Sequence, residues 1–400
     1  MAEKRRFSGR GRLHWLEHIE LFNDFAAAAA DWRTLERAGA VATPCQRFDW
    51  LEPWHRHVGT AQHIQPLIVV GYDISGKPAF LWPLGTQRQG PVTVARFLGG
   101  KHANFNFALW RRDIAAMLQP TDVEALIETL SHQTAGVDLL MLLNQPEQWD
   151  GLSNPLLLLP HQDSPSKGYH LGLGGSADHV LARLSRSLRK RIRSKHRKLA
   201  ERGAVVHRRA TTAEEVERYL SVFLEQKSAR FAEHGVQNAF SEPGVEAFLR
   251  EASKSGIEQG TPVIEIHVLE GNGEVLALFS GTSDGRHFSC MFNSYTLGEN
   301  ARFSPGYLLL NELISDCANR GLKVLDLGVG EARYKAEFCD KVEPLFDSFL
   351  PLTPLGRLAA LTYRSTFDVK RRIKQSPSIW ATVTSLRRRL VRSIGGDDTM

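Results

Sequence analysis

The chain has 400 residues, 42% hydrophobic and 9% aromatic, enough apolar material for buried cores, which excludes a disordered chain and points to two domains of about 200 residues each. No apolar run approaches the ~18–20 residues that span a bilayer, and basic Met1–Arg12 lacks the apolar stretch of a signal peptide. Cys45, Cys290, Cys317 and Cys339 are scattered without a CxxC pair, so neither a disulfide framework nor a metal site is expected; the chain reads as reduced and cytosolic.

The net charge of +6 is unevenly spread. Twelve Lys or Arg between Arg183 and Arg209 face one acid, Glu201; ten from Pro351 to Met400 face Asp368, Asp397 and Asp398. The remainder is therefore acidic. Such segments fit a phosphate-bearing partner or an anionic membrane surface.

In chain order, Pro66–Asp73 and Lys77–Leu84 predict a β-hairpin around Ser75-Gly76, followed by a strand at Val92–Leu98. The segment Gly99-Gly-Lys-His-Ala-Asn-Phe-Asn-Phe107 alternates His102, Asn104 and Asn106 with apolar residues. Extended, it would put the three polar groups on one side; as a turn, they would bond nearby backbone. A helix over about Asp122–Thr134 leads to a buried strand, Val137–Leu143. The Pro/Gly cluster in Leu159–Gly175 is the expected boundary, with Gly172–Gly175 as linker. Trp15, Trp32, Trp50 and Trp54 are expected in a core.

Leu181, Leu184, Leu188, Ile192 and Leu199 recur at helical spacing among the cations. This is either a solvated helix face or a site for coenzyme phosphate, lipid headgroup or RNA. The first-half order then repeats. Pro262–Leu269 and Glu274–Phe279 flank Gly271-Asn-Gly273, His287–Tyr295 adds a strand, a helix spans Gly306–Asn319, and Lys323–Leu327 is a buried strand. Strands, helix and strand, twice over, describe a duplicated α/β unit.

Within the second copy, Ser304 suits a helix cap, Pro305 a first helical turn, and Gly306 a close backbone approach. Such a start is either a capped helix or an anion site. Downstream, Asp326 interrupts an apolar strand, and Glu331, Tyr334 and Lys335 are expected on a short helix, with Glu331 and Lys335 as i,i+4 neighbours. The tail offers apolar residues such as Leu358, Leu361, Phe367 and Val369, then Ile379–Ile394, interleaved with Arg and Lys. It reads as membrane-surface helices or as a helix pair docked on the body.

Thr43–Trp50 with Trp54, Leu98–Gly100, Leu184–Ile192, Ser304–Gly306, and Asp326–Glu331 with Tyr334-Lys335 together resemble the GNAT acyltransferase fold. Within it they resemble the CelD-like (cellulose biosynthesis protein) family, related to the tandem-domain FemABX aminoacyltransferases. The resemblance implies an α/β fold of tandem GNAT domains with mixed central sheets flanked by helices: a degenerate domain at residues 13–160, a donor domain at 169–350, and a basic helical tail at 351–400. It implies acyl-CoA as donor substrate and no permanently bound cofactor, with the pyrophosphate on Arg302, Ser304, Pro305, Gly306 and Tyr307. The pantetheine is expected between Phe288–Tyr295 and Val324–Leu327. Pro305 and Tyr307 depart from the usual loop residues.

On this reading Glu331 or His102 acts as base, Tyr334 protonates the leaving thiolate, and Lys335 fixes Glu331 or binds phosphate. Asn104, Asn106 and Asp326 are expected to contact the acceptor, an amine or hydroxyl of a lipid, sugar or envelope precursor. A peripheral position at the inner face of the cytoplasmic membrane is the expected location. Two other readings stand beside it: a FemABX-like transferase drawing on aminoacyl-tRNA, and a non-catalytic scaffold in envelope polysaccharide biosynthesis.

Overall fold

The computed structural model describes residues 3–6 and 13–375, apart from 135, 234 and 236. The described residues form two α/β units: those up to Gly168 with Glu343–Arg371, and Tyr169–Val342. Each has a mixed sheet flanked by helices.

In the first unit, strands Leu16–Phe22, Gln65–Asp73, Pro78–Gln89 and Val92–Phe97 form an antiparallel meander. Helix Pro120–Gln133 crosses over to strand Leu139–Pro146, which runs parallel to Val92–Phe97. The second unit repeats this plan. Val205–Arg209, Glu265–Gly271, Glu274–Ser283 and His287–Tyr295 are antiparallel neighbours, and helix Pro305–Asn319 crosses to Val324–Val329, parallel to His287–Tyr295. Strand formers flanking Gly-rich turns set up each meander, and the apolar stripe of each crossover helix covers one sheet face. Trp15, Trp32, Trp50 and Trp54 are all buried in the first unit.

Two assignments change. Gly168–Gly172, read as part of a linker, is a strand of the second sheet, beside Val324–Val329, with Tyr169, His170 and Leu171 buried. Leu345–Pro351, read as the end of the second domain, pairs antiparallel with Leu139–Pro146 in the first sheet. The cause is common to both: a strand satisfies its backbone wherever an edge is open, and edges are set by long-range pairing. The tail contributes one described helix, Pro354–Gln375. Ala360, Tyr363 and Phe367 pack with Phe349 and Val92, while Leu358, Leu361 and Val369 remain exposed. The expected second tail segment, Ile379–Ile394, lies outside the described residues. No described helix is long and apolar enough to cross a membrane.

One irregularity positions the site. Strand His287–Tyr295 carries a bulge opposite Ser280/Gly281, where Phe292 pairs with Ser280 but Cys290, not Met291, pairs with Gly281. Side chains alternate every second residue, so one extra residue reverses the faces. Phe288 and Cys290 join the core beneath helix Pro305–Asn319, whereas Phe292 turns to the other face and packs on Phe223, ring centroids 4.5 Å apart. Asn293 and Tyr295 are thereby brought to the face of the crossover helix. Gly281 is required here, since a Cβ would lie 2.5 Å from the Phe288 ring.

Candidate functional site

Helix Pro305–Asn319 begins without the expected side-chain cap. Ser304 has φ 56° and ψ 55°, in the left-handed region, and its hydroxyl bonds no helical N–H. Its carbonyl instead accepts from Tyr307 N–H at 3.0 Å, and the first turn holds no acid. The first turn's N–H groups and the positive dipole end therefore meet no carboxylate of their own helix. The equivalent helix of the first unit differs: Asp122 folds back to accept from Gln119 N–H at 2.8 Å in a capping box. That start is closed by its own carboxylate.

A cleft of about 320 Å³ opens beside Ser304 and Tyr307, walled by Arg191, Lys195 and Arg333. Arg191 lies 5.0 Å over the Tyr307 ring and pairs with Glu337, which also takes the Tyr307 hydroxyl hydrogen bond. Arg333 bonds the same carboxylate at 3.1 Å. The basic run is thus helix Arg186–Ala200, capped by Ser185, with Leu188, Ile192 and Leu199 buried. Only Arg197 has an acid four residues on, Glu201, and remote elements supply partners for Arg191 and for two flanking cations of the run: Glu337 for Arg191, Asp340 for Arg183 and Glu299 for Arg202.

The parallel strands His287–Tyr295 and Val324–Val329 pair only at His287–Val324, Phe288–Leu325 and Ser289–Asp326. Beyond Ser289 no ladder joins them. Tyr334, from helix Arg333–Phe338, bonds at its hydroxyl to the Asn293 side chain past that point. Burial pushes its phenol well above the ordinary range, so the proton is held at neutral pH. Tyr334 and Tyr307 join the same core edge, and Tyr307 lies 5.6 Å from Phe338 between ring centroids. Tyr334 and Tyr307 thus lie at one edge of this core, with Asn293 bonded to Tyr334 and Gly306 immediately before Tyr307 in the chain. Asn293 and Tyr295 escaped the sequence reading, because only the bulge turns them this way.

Asp326, Lys335 and Glu331 are arranged otherwise than expected. Asp326 is completely buried: Ser289 donates to one oxygen at 2.5 Å and Gly328 N–H to the other. Burial raises its pKa to about 7 against those two hydrogen bonds. An enclosed carboxylate of this kind holds the strand end and cannot be reached by an acceptor. Lys335 is buried too, donating to the Gly328 and Val329 carbonyls at 3.2 and 3.0 Å, and it holds that loop instead of Glu331. Glu331 precedes the short helix, which starts at Arg333, so the two are not helical neighbours; Glu331 is exposed.

In the first unit, His102 ends a 3-10 turn, Gly100–His102, and its Nδ1 accepts from Trp54 Nε1 at 3.1 Å. Asn106 is buried, donating to the Leu143 carbonyl at 2.9 Å, and Asn104 is half-buried. The extended polar row is not formed. Gln46 and Thr43 tie this segment to Phe105 and Phe107, which overrides the local alternation.

Residues 186–336 match the acetyltransferase (GNAT) domain family. The fold is similar to that of FemX, with TM-score 0.57 and 10% identity over 83% of this chain and 98% of FemX. It is also similar to a conserved protein of unknown function from Bacteroides thetaiotaomicron, TM-score 0.52, 12% identical over 82% of this chain and 99% of that one. A tandem GNAT protein from the clavulanic acid biosynthesis pathway aligns over 88% of this chain and 99% of its own, 11% identical, TM-score 0.45. No curated protein matches the chain. The match over residues 186–336 falls within the second unit, which is therefore the part of the chain similar to the acetyltransferase (GNAT) domain family.

Proposed function

We propose that the second unit transfers an acyl group from acyl-CoA to an amine or hydroxyl acceptor, and that the protein is CelD-like in this sense. The observation that carries the reading is the parting of His287–Tyr295 from Val324–Val329 beside the helix start at Ser304, with the Tyr334 hydroxyl at Asn293. The donor's diphosphate sits on the Ser304–Tyr307 backbone, with Arg302 nearby, and Pro305 presets the turn. Its pantetheine arm takes the place of the missing ladder, using the backbone groups that the strands leave to each other's neighbours.

In this mechanism the acceptor attacks the thioester carbonyl, the tetrahedral adduct collapses, and the C–S bond breaks. Tyr334 gives its proton to the departing sulfur, a role suited to a phenol that stays protonated. Glu331, directly or through water, takes the acceptor's proton. Lys335 and Asp326 act as positioning residues for the Gly328–Val329 loop.

The acceptor is a lipid, sugar or envelope precursor. A peripheral position on an anionic membrane draws support from the exposed Leu358, Leu361 and Val369 on a helix that also exposes Arg357, Lys370 and Arg372. The test is thiol release followed with dithionitrobenzoate, using acyl-CoAs of several chain lengths and amine or hydroxyl acceptors. Wild-type turnover with loss in Tyr334→Phe supports the reading; no release with any pair, together with no CoA binding by calorimetry, refutes it.

The likeness to FemX, together with the basic helix, favours a second reading in which the donor is an aminoacyl-tRNA. That reading expects tRNA binding that weakens steeply with salt.

A further inference from the structure

Helix Ala213–Glu233 packs Phe223 on Phe292, and its Gln226 joins two strands of the second sheet. The Gln226 amide donates to the Val275 carbonyl at 2.9 Å and accepts from the Ser294 hydroxyl at 2.7 Å. At 3.6 residues per turn, Lys227 and Arg230 follow on this same sheet-facing side. Cations belong by default on the opposite, solvated face of such a helix. Here Lys227 Nζ lies 5.8 Å from the ring centroids of both Phe231 and Phe240, and the Arg230 guanidinium lies 4.5 Å over the Tyr295 ring.

No ion pair or hydrogen bond engages either side chain among the described residues, and the charge that acts on Lys227 is Arg230, of the same sign. Burial first, and then Arg230, lower the Lys227 pKa to about 8, which still leaves the ammonium form in the majority at pH 7. Ring faces and the carbonyl end of the helix offset part of this cost, but they do not neutralise two like charges. An anion between them would, and a guanidinium beside an ammonium suits a carboxylate or a phosphate. Tyr295 ties the pair to the candidate site. Its Cδ1 lies 3.8 Å from where a Cβ on Gly306 would stand, and Asn293, two residues earlier on the same strand, meets the Tyr334 hydroxyl. The helix start at Ser304 reaches this strand end from one side of the sheet; Lys227 and Arg230 reach it from the other.

We infer that Lys227 and Arg230 bind an acid group on the acceptor, so that the molecule acylated in the second unit is an amine or hydroxyl that also carries a carboxylate or phosphate. This rests on the acyl-transfer reading and narrows its acceptor to one class. The acid forms and breaks no bond; it is held while the nucleophile meets the thioester. Lys227 is therefore a specificity-determining residue, and its loss falls on the KM for an acidic acceptor.

Thiol release by the full chain tests it, with acetyl-CoA as donor and two pairs of acceptors: phenylalanine against phenylalaninamide, and phosphoethanolamine against ethanolamine. In at least one pair the acidic member is expected to be used about tenfold or more efficiently, the worth of one charge-assisted contact, and the pair that shows it tells carboxylate from phosphate. Lys227→Met brings the acidic member down to the level of the neutral one, chiefly through acceptor KM, and Lys227→Arg keeps the preference. Methionine replaces a buried cation with an apolar chain of similar length, so a melting temperature no lower than wild type verifies the fold. Should that variant not fold, Arg230→Gln carries the same expectation. Equal use of both members in both pairs by wild type, or a preference that survives Lys227→Met, overturns the inference and leaves acyl transfer standing. Calorimetry with the same four compounds needs neither donor nor turnover. Acid binding that Lys227→Met abolishes, without thiol release, supports the anion site and removes the acyl-transfer reading; no preference for the acids in calorimetry overturns the site itself.

Discussion

Replacing Gly306 with alanine separates a ligand seat from a mere helix start. A Cβ at this position meets nothing closer than Tyr295 Cδ1 at 3.8 Å, an ordinary contact, and Gly306 does not have a positive φ. Nothing in the protein therefore requires glycine there. Alanine is the better helix former by up to about 1 kcal/mol, less in a first turn. The expected change in melting temperature is a rise of roughly 0–3 °C. A diphosphate seated on the first-turn N–H groups would meet the added methyl. Loss of one hydrogen bond to a charged group costs about 1.5–3 kcal/mol, which weakens CoA binding by roughly 10- to 150-fold. Differential scanning fluorimetry and calorimetric titration with CoA measure the two quantities on the same sample. A stabilised Gly306→Ala protein that binds CoA as tightly as wild type would refute the placement of the diphosphate. A destabilised one would refute the packing analysis.

Tyr334→Phe should lower kcat by about 10²–10⁴-fold with donor KM unchanged, measured by thiol release, because it removes a proton donor and leaves the ring in place. Asp326 contributes a pH dependence of definite sign. Its folded pKa, raised by burial to about 7 from 3.8, makes the native state the tighter proton binder, so stability is highest below about pH 4 and is lost as pH rises toward 7. Asp326→Asn should flatten chemical denaturation free energies across that window. Glu265 has the opposite sign. Burial raises its pKa, but hydrogen bonds from His267 and Arg320 outweigh burial and bring it to about 2, so its contribution is present above about pH 4.5 and lost as pH falls toward 2. Arg320→Met removes the bidentate partner at 2.6 and 2.7 Å and leaves that buried carboxylate to His267 at 3.3 Å and Arg209 at 3.8 Å; urea titration should register a loss of about 1.5–3 kcal/mol.

Much of the fold is local information. Alternating strand formers around Ser75-Gly76 and Gly271–Gly273 set up both meanders, and the repeat spacing of strand, helix and strand marked the duplication. The Leu188–Ile192–Leu199 stripe likewise announced a helix with one buried face. The helix start at Pro305 and the region of Tyr334 were legible for the same reason: caps, prolines and glycines act within a few residues.

Other features depend on what lies across the sheet. No local signal marks Gly168–Gly172 as a strand of the second sheet or Leu345–Pro351 as a strand of the first, because an edge strand is defined by its partner. The same holds for Met291, whose bulge exists only in register with Ser280 and Gly281 and which alone turns Asn293 toward Tyr334. Asp326 and Lys335 looked like reactive groups by type, yet burial commits both to holding a loop. Residue type and spacing carried the periodicities and the helix start, since those arise from neighbours along the chain. Register, edge partners and the burial of each charge were decided by tertiary structure, since they arise from contacts between residues tens to hundreds of positions apart.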